Sequence, residues 1–217
     1  SLGYIHVCAL IGSGVDAGKV KCWGNNNAGI FGNGTTTSSS TPVFVSGLTD
    51  AVQVAVGEGH TCALLGAGAG SDAGKVKCWG ENGYGQLGDG TTTGRLTPVF
   101  VSGLIDVEKI FFGKGRYHSC ALLGAGAGAD AGKVKCWGVN NNGQLGDGTA
   151  NDSSLPVFVS GLTNISQLAA GEAHSCALMG SGVDTGQVKC WGSNYKGELG
   201  NTLMSSAQST PVSVAGL

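Results

Sequence analysis

Eight cysteines fall into four pairs, and every pair brackets a glycine-rich stretch. Cys8 is followed by Cys22, Cys62 by Cys78, Cys120 by Cys136 and Cys176 by Cys190. Equivalent cysteines return after 54, 58 and 56 residues, from Cys8 to Cys62, Cys120 and Cys176 in turn. That period suits one unit of a few short strands and is too short for an independent domain. Each unit must therefore bury its faces against its neighbours. The copies are read as 1–56, 57–112, 113–170 and 171–217, forming one structural domain whose last copy lacks its final strand.

Within a copy the strands are bounded by turn residues. His60–Leu65 and Lys75–Gly80 flank a loop of Gly, Ala, Ser and Asp, followed by a Gly/Asn-rich turn, then Thr97–Leu104 and Val107–Phe112. Pro42, Pro98, Pro156 and Pro211 stand at the start of the third strand, where a missing N–H is tolerated. The 41 glycines follow the long period rather than every third position, which excludes a collagen helix. The pattern predicts an all-β array with almost no helix. Only 12% of residues are charged and the net charge is −2, so there is no electrostatic footprint for nucleic acid. No apolar run approaches the roughly 20 residues that cross a bilayer as a helix.

Four fixed-spacing elements recur together: Gly57-x-x-His60-x-x-Ala-Leu64, Val76-x-x-Trp79-Gly80, Asn82-x-x-Gly-Gln-Leu-Gly88 and Thr97-Pro-x-x-Val101. Over essentially the whole chain they resemble the regulator of chromosome condensation repeat. The first copy departs from the pattern with Gly29-Ile-Phe-Gly32. The resemblance implies β-propeller blades of mainly antiparallel four-stranded sheets, arranged as a partial propeller or an open solenoid-like array. Its members include nucleotide exchange factors, a plant ultraviolet photoreceptor and a secreted inhibitor of β-lactamase, so it implies a binding surface rather than a chemistry.

The cysteines are read as intra-copy disulfides. Pairing Cys8 with Cys22 sets Leu10 opposite Val20, and pairing Cys62 with Cys78 sets Leu64 opposite Val76, both sensible hairpin registers. Four disulfides place the chain in an oxidising setting, extracellular or at the cell surface. Zinc is the competing reading, since His6, His60, His118 and His174 each stand two residues before a cysteine, but the spacing is not that of zinc knuckles. A Cys–His nucleophile repeated four times is less plausible than histidines that bridge neighbouring blades. No cofactor and no enzymatic activity are expected.

Departures from the repeat mark the candidate contact residues. The third copy alone inserts two residues before its histidine, exposing Lys114, Arg116 and Tyr117 as the leading candidates. Tyr84 and Tyr195 stand in the variable turns after Trp-Gly, and tyrosine is a favoured interface anchor. Four blades fill about half of the seven usual in this family, leaving Tyr4 at one end and Val212 and Val214 at the other. Either the chain belongs to a longer propeller or copies join end to end. The function expected is a non-enzymatic extracellular scaffold that self-assembles into a structural or adhesive polymer. The alternative is a secreted module that binds another extracellular protein.

Overall fold

The computed structural model describes residues 1, 3, 5–113, 117–202 and 206–217. Its strands form four antiparallel sheets in chain order. The first holds β1 (His6–Leu10), β2 (Val20–Gly24) and β3 (Ser39–Phe44). The second holds β4 (Ala51–Val56), β5 (His60–Leu65), β6 (Val76–Gly80) and β7 (Arg95–Phe100). The third holds β8 (Val107–Phe112), β9 (His118–Leu123), β10 (Val134–Gly138) and β11 (Ser153–Phe158). The fourth holds β12 (Ile165–Ala170), β13 (His174–Met179), β14 (Val188–Gly192) and β15 (Gln208–Ser213). Strands β4, β8 and β12 are innermost and pack side by side, as expected of propeller blades. The hairpin loops of the second and third sheets each contain a short 3-10 turn, Ala67–Asp72 and Ala125–Asp130.

Two strand assignments differ from the sequence reading. Val107–Phe112, expected to complete the second copy, pairs with β9 and opens the third sheet. The last copy accordingly sits in a complete four-stranded sheet, while the first sheet has three strands among the described residues. The cause lies in the crossover after the outer strand. Asp106 adopts φ +48°, the Val107 N–H donates to the Gly74 carbonyl, and the Gly124 N–H donates to the Asp106 carbonyl. These bonds tie the crossover to hairpins of both neighbouring blades, so the chain steps inward to a new sheet instead of folding back. The prolines also lie inside the outer strands rather than at their starts, on the sheet edge where no ladder partner needs their N–H.

Cys8, Cys62, Cys120 and Cys176 face Cys22, Cys78, Cys136 and Cys190 in register. All four pairs are disulfides with Cα atoms 4.0–4.1 Å apart, the close approach of a non-hydrogen-bonded antiparallel pair. No free cysteine occurs among the described residues, so neither a thiolate zinc ligand nor a thiol nucleophile is on offer. Each bridge closes a short hairpin. Replacing Cys120 and Cys136 together by alanine should lower unfolding stability by about 3 kcal/mol in the chain-entropy model, read from urea titrations. An unchanged midpoint would show that the bridge adds nothing the hairpin lacks.

Successive blades are joined twice. Trp79, Trp137 and Trp191 are fully buried, and their indole N–H groups donate to the backbone carbonyls of Ile30, Gln86 and Gln144 in the preceding blade, each at 2.9 Å. The second glycine of the turn makes room: a Cβ on Gly88 would stand 2.9 Å from the Trp137 Nε1. The second joint uses the histidines. His6, His60 and His118 are buried, with Nε2 at 2.9, 2.9 and 3.2 Å from the hydroxyls of Thr61, Ser119 and Ser175 of the following blade. Thr61 donates its own hydrogen to the Ile30 carbonyl, so His6 is the donor and its Nδ1 is the bare nitrogen. The Nδ1 atoms of His6, His60 and His118 have no partner.

Candidate partner-binding surface

The strands present two different ends to solvent. Hairpin tips such as Val15 and Val183 are fully exposed at one end. The other end carries the turns after each Trp-Gly together with the Gly-x-x segments that precede each histidine, because His60 pairs with Gly80 and His118 with Gly138. Each turn is held by a buried asparagine. Asn82 donates from Nδ2 to the Thr91 and Thr93 carbonyls at 3.0 and 3.1 Å, and its Oδ1 accepts the Leu87 N–H at 2.9 Å. Asp89 caps the same turn and pairs with Arg95 at 2.7 Å. Burial pulls its pKa up, but hydrogen bonds from Thr91 and Arg95 outweigh this and hold it below the ordinary value. The Gly-Asp-Gly-Thr motif is thus turn chemistry, and a rigid rim results.

On that rim the rings of Tyr84 and Tyr117 meet at 4.8 Å. They join neighbouring turns, since Tyr84 follows β6 and Tyr117 precedes β9. A cleft lies on either side of the pair. One, of about 350 Å³, continues to Val139, Asn141, Asn142, Gln144, Asp152, Glu172 and Ala173. The other, of about 370 Å³, runs past Gln86, Asn82 and Gly94 to Ala28. Asp152 and Glu172 are exposed carboxylates, and Asp152 Oδ1 accepts the Asn140 N–H at 2.7 Å. Lining both clefts, the described residues include no lysine, arginine or histidine.

Gln86 is the unusual member. It is fully buried, its carbonyl accepts the Trp137 N–H, and its Oε1 accepts the Tyr84 N–H at 2.9 Å. Its Nε2 has no partner. In the next blade the equivalent Gln144 donates to Asn141 Oδ1 at 3.4 Å. The second blade has Gly83 where the third has Asn141, so the acceptor is missing and a buried donor stays unsatisfied in a residue that lines the second cleft. Sequence reasoning passed over Gln86 because it sits inside the repeated Gly-Gln-Leu-Gly, and over Asp152 and Glu172 because they come together with the tyrosines only across blades.

Of the predicted contact residues, Tyr84 and Tyr117 are brought together. Tyr195 is 63% exposed on its own turn and lines neither cleft. Lys114, Arg116 and Tyr4 lie outside the described residues. Val212 and Val214 are half-buried on the last blade. Val45, Val101 and Val159, the counterparts of Val214, are buried against a following blade, as are Leu48, Leu104 and Leu162 at 3% exposure, whereas Leu217 is 79% exposed. Among the described residues no three His, Cys, Asp or Glu side chains gather as a metal site, and no helix is long and apolar enough to cross a membrane.

Comparison with known proteins gives the same architecture. The chain is 32% identical over 190 residues to the mouse E3 ubiquitin-protein ligase HERC2, covering 86% of the chain and 4% of that protein. It is 32% identical over 187 residues to the Arabidopsis thaliana ultraviolet-B receptor UVR8, covering 84% of the chain and 39% of the receptor. Among solved structures, human WBSCR16 superposes with a TM-score of 0.76 at 25% identity, over 98% of this chain and 51% of that one. Yeast RCC1 (Prp20), solved bound to Kap60, gives 0.76 at 21% identity over 98% and 47%, a likeness of fold alone. The chain therefore spans about half the length of these solved propellers. The model of the regulator of chromosome condensation (RCC1) repeat matches residues 17–64, 73–122 and 131–178, so the chain belongs to the RCC1-repeat family of β-propellers.

Proposed function

We propose that this chain is a non-enzymatic, protein-binding segment of an extracellular or cell-surface propeller, and that it receives its partner on the rim around Tyr84 and Tyr117. The carrying observation is the pair of clefts that meet at these two rings, where an exposed Tyr84 and a half-buried Tyr117 interrupt an otherwise repetitive surface. The four disulfides support an oxidising compartment. Relatives support the binding role: one yeast homologue by fold was solved with Kap60, and Prp20p is described with binding to Gsp1p and histones. Quantitative capture from the extracellular fraction of the source cells tests the reading. Proteins enriched by the wild-type chain should fall about tenfold or more with Tyr84→Ala/Tyr117→Ala, the size of effect expected for aromatic anchors of at least 1–2 kcal/mol each. Equal recovery by both baits would place binding elsewhere.

End-to-end self-association is the second reading, favoured by the bareness of Leu217 and the half-burial of Val214. A head-to-tail joint between copies would let Trp23 donate to the carbonyl of Glu198, repeating the indole bond. The histidine bond could not be repeated, because the first blade has Val7 where the others have Thr61, Ser119 and Ser175. His174 of one copy would face a methyl group. This missing bond ranks polymerisation below partner binding, and longer propellers put their own next blade at that position. Light scattering should accordingly show a monodisperse protein at high concentration, and concentration-dependent polymers would reverse the ranking.

A further inference from the structure

We propose that the two clefts together seat one extended basic peptide segment of the partner, a deeper statement of the binding reading and dependent on it. An arginine or lysine side chain enters the cleft of about 350 Å³, between the tyrosine rings and the carboxylates of Asp152 and Glu172. A main-chain carbonyl of the same segment accepts the Nε2–H of Gln86 on the other side. Two independent observations converge here.

The first is charge. Asp152 and Glu172 come from different blades and line the same cleft as Tyr84 and Tyr117, with no cation among its described lining residues. A guanidinium or ammonium fits both components, since carboxylates pair with it and aromatic faces attract it. The second is the orphaned donor. Gln86 is wholly buried with its Nε2 unpartnered, and an unsatisfied buried polar group is costly enough that native structures nearly always explain it. Its carbonyl and Oε1 are already occupied, so the side chain is fixed and cannot turn away to find water or protein. A donor held this way asks for an acceptor, and a peptide carbonyl is the acceptor every protein partner carries. Tyr84 and Tyr117 border both clefts, so a single strand laid across them reaches both features.

The test is selection of a displayed random-peptide library on the intact chain, with winners measured as capped fluorescent peptides by anisotropy. Winners should share an arginine or lysine. Replacing that arginine by the neutral isostere citrulline should weaken binding at least tenfold, as should Asp152→Asn/Glu172→Gln on the protein. Asparagine at 152 keeps an acceptor for the Asn140 N–H, and an unchanged urea midpoint confirms the fold. Binding should also weaken as salt rises. If winners are lost with Tyr84→Ala/Tyr117→Ala but tolerate citrulline within twofold, or share an acidic residue, the charge assignment is overturned while the surface stands. If winners ignore both double variants, or if none is enriched over the tyrosine variant, surface and charge assignment fall together.

Discussion

Replacing Trp137 by alanine should lower unfolding stability by about 3–5 kcal/mol, the range for deleting a fully buried large aromatic. The indole does two things at once. It fills the joint between the second and third blades without any exposure, and it satisfies the Gln86 carbonyl at 2.9 Å. Alanine leaves a cavity and a bare carbonyl together. Phenylalanine keeps most of the packing and loses only the donor, so Trp137→Phe should cost less, about 1–3 kcal/mol for the stranded acceptor. Trp23 provides the internal control. It occupies the same position in the first blade but is only half-buried, and Trp23→Ala should cost clearly less than Trp137→Ala. Urea titrations of the three variants check the order. Equal losses at 23 and 137 would show that the indoles stabilise their own blades and not the joints.

Acid should loosen the array well before it protonates most carboxylates. Burial lowers the pKa of His6 to about 4, of His60 to about 3 and of His118 to about 4, with the charges of neighbouring histidines adding to the effect at His60 and His118. The geometry explains the direction. At His6 and His60, whose hydroxyl partners donate onward to the Ile30 and Gln86 carbonyls, Nε2 already carries the proton that reaches the next blade, so a second proton must go on Nδ1, which is buried and has no partner. In the unfolded chain these side chains titrate near 6.5. Folding stability is therefore complete above about pH 6.5 and falls as pH drops from there toward 4, while the unfolded state takes up protons that the folded state refuses. Each histidine contributes up to about 1.4 kcal/mol per pH unit, so the three together reach on the order of 5 kcal/mol by pH 5. His60→Gln should reduce the slope between pH 6.5 and 5 by about a third, whatever it does to stability at pH 8. A slope that is flat in this window, or unaltered by the substitution, would show that the ladder does not titrate with unfolding.

The parts of this architecture that depend on local register are the parts that can be read from the residues. Cys8 against Cys22 and Leu64 against Val76 follow from hairpin counting, and both registers are observed. The histidine bridges are also foreseeable, since a polar residue recurring once per blade has the neighbouring blade as its available partner. The sheet to which Val107–Phe112 belongs is not. Its linker, Val101–Asp106, is as short as many hairpin loops, and the bonds of Val107 to Gly74 and of Gly124 to Asp106 send it inward. Those partners lie 33 and 18 residues away in the chain. The surface divides the same way. Tyr84 and Tyr117 stand out as breaks in the repeat, whereas the idle donor of Gln86 arises from a glycine at 83 and is visible only when the second and third turns are compared side by side.

Site-specific photo-cross-linking tests the surface assignment most directly. A benzophenone amino acid at position 84 keeps an aromatic ring on the rim, and the same probe at Val15 and Val183 samples the fully exposed hairpin tips at the opposite end. Irradiation in the extracellular fraction of the source cells should give a discrete protein adduct at 84 that unlabelled wild-type chain competes away, and none at 15 or 183. Adducts that form equally or only at the hairpin tips, or a chain that cross-links solely to its own copies, would contradict a partner-binding rim at Tyr84 and Tyr117.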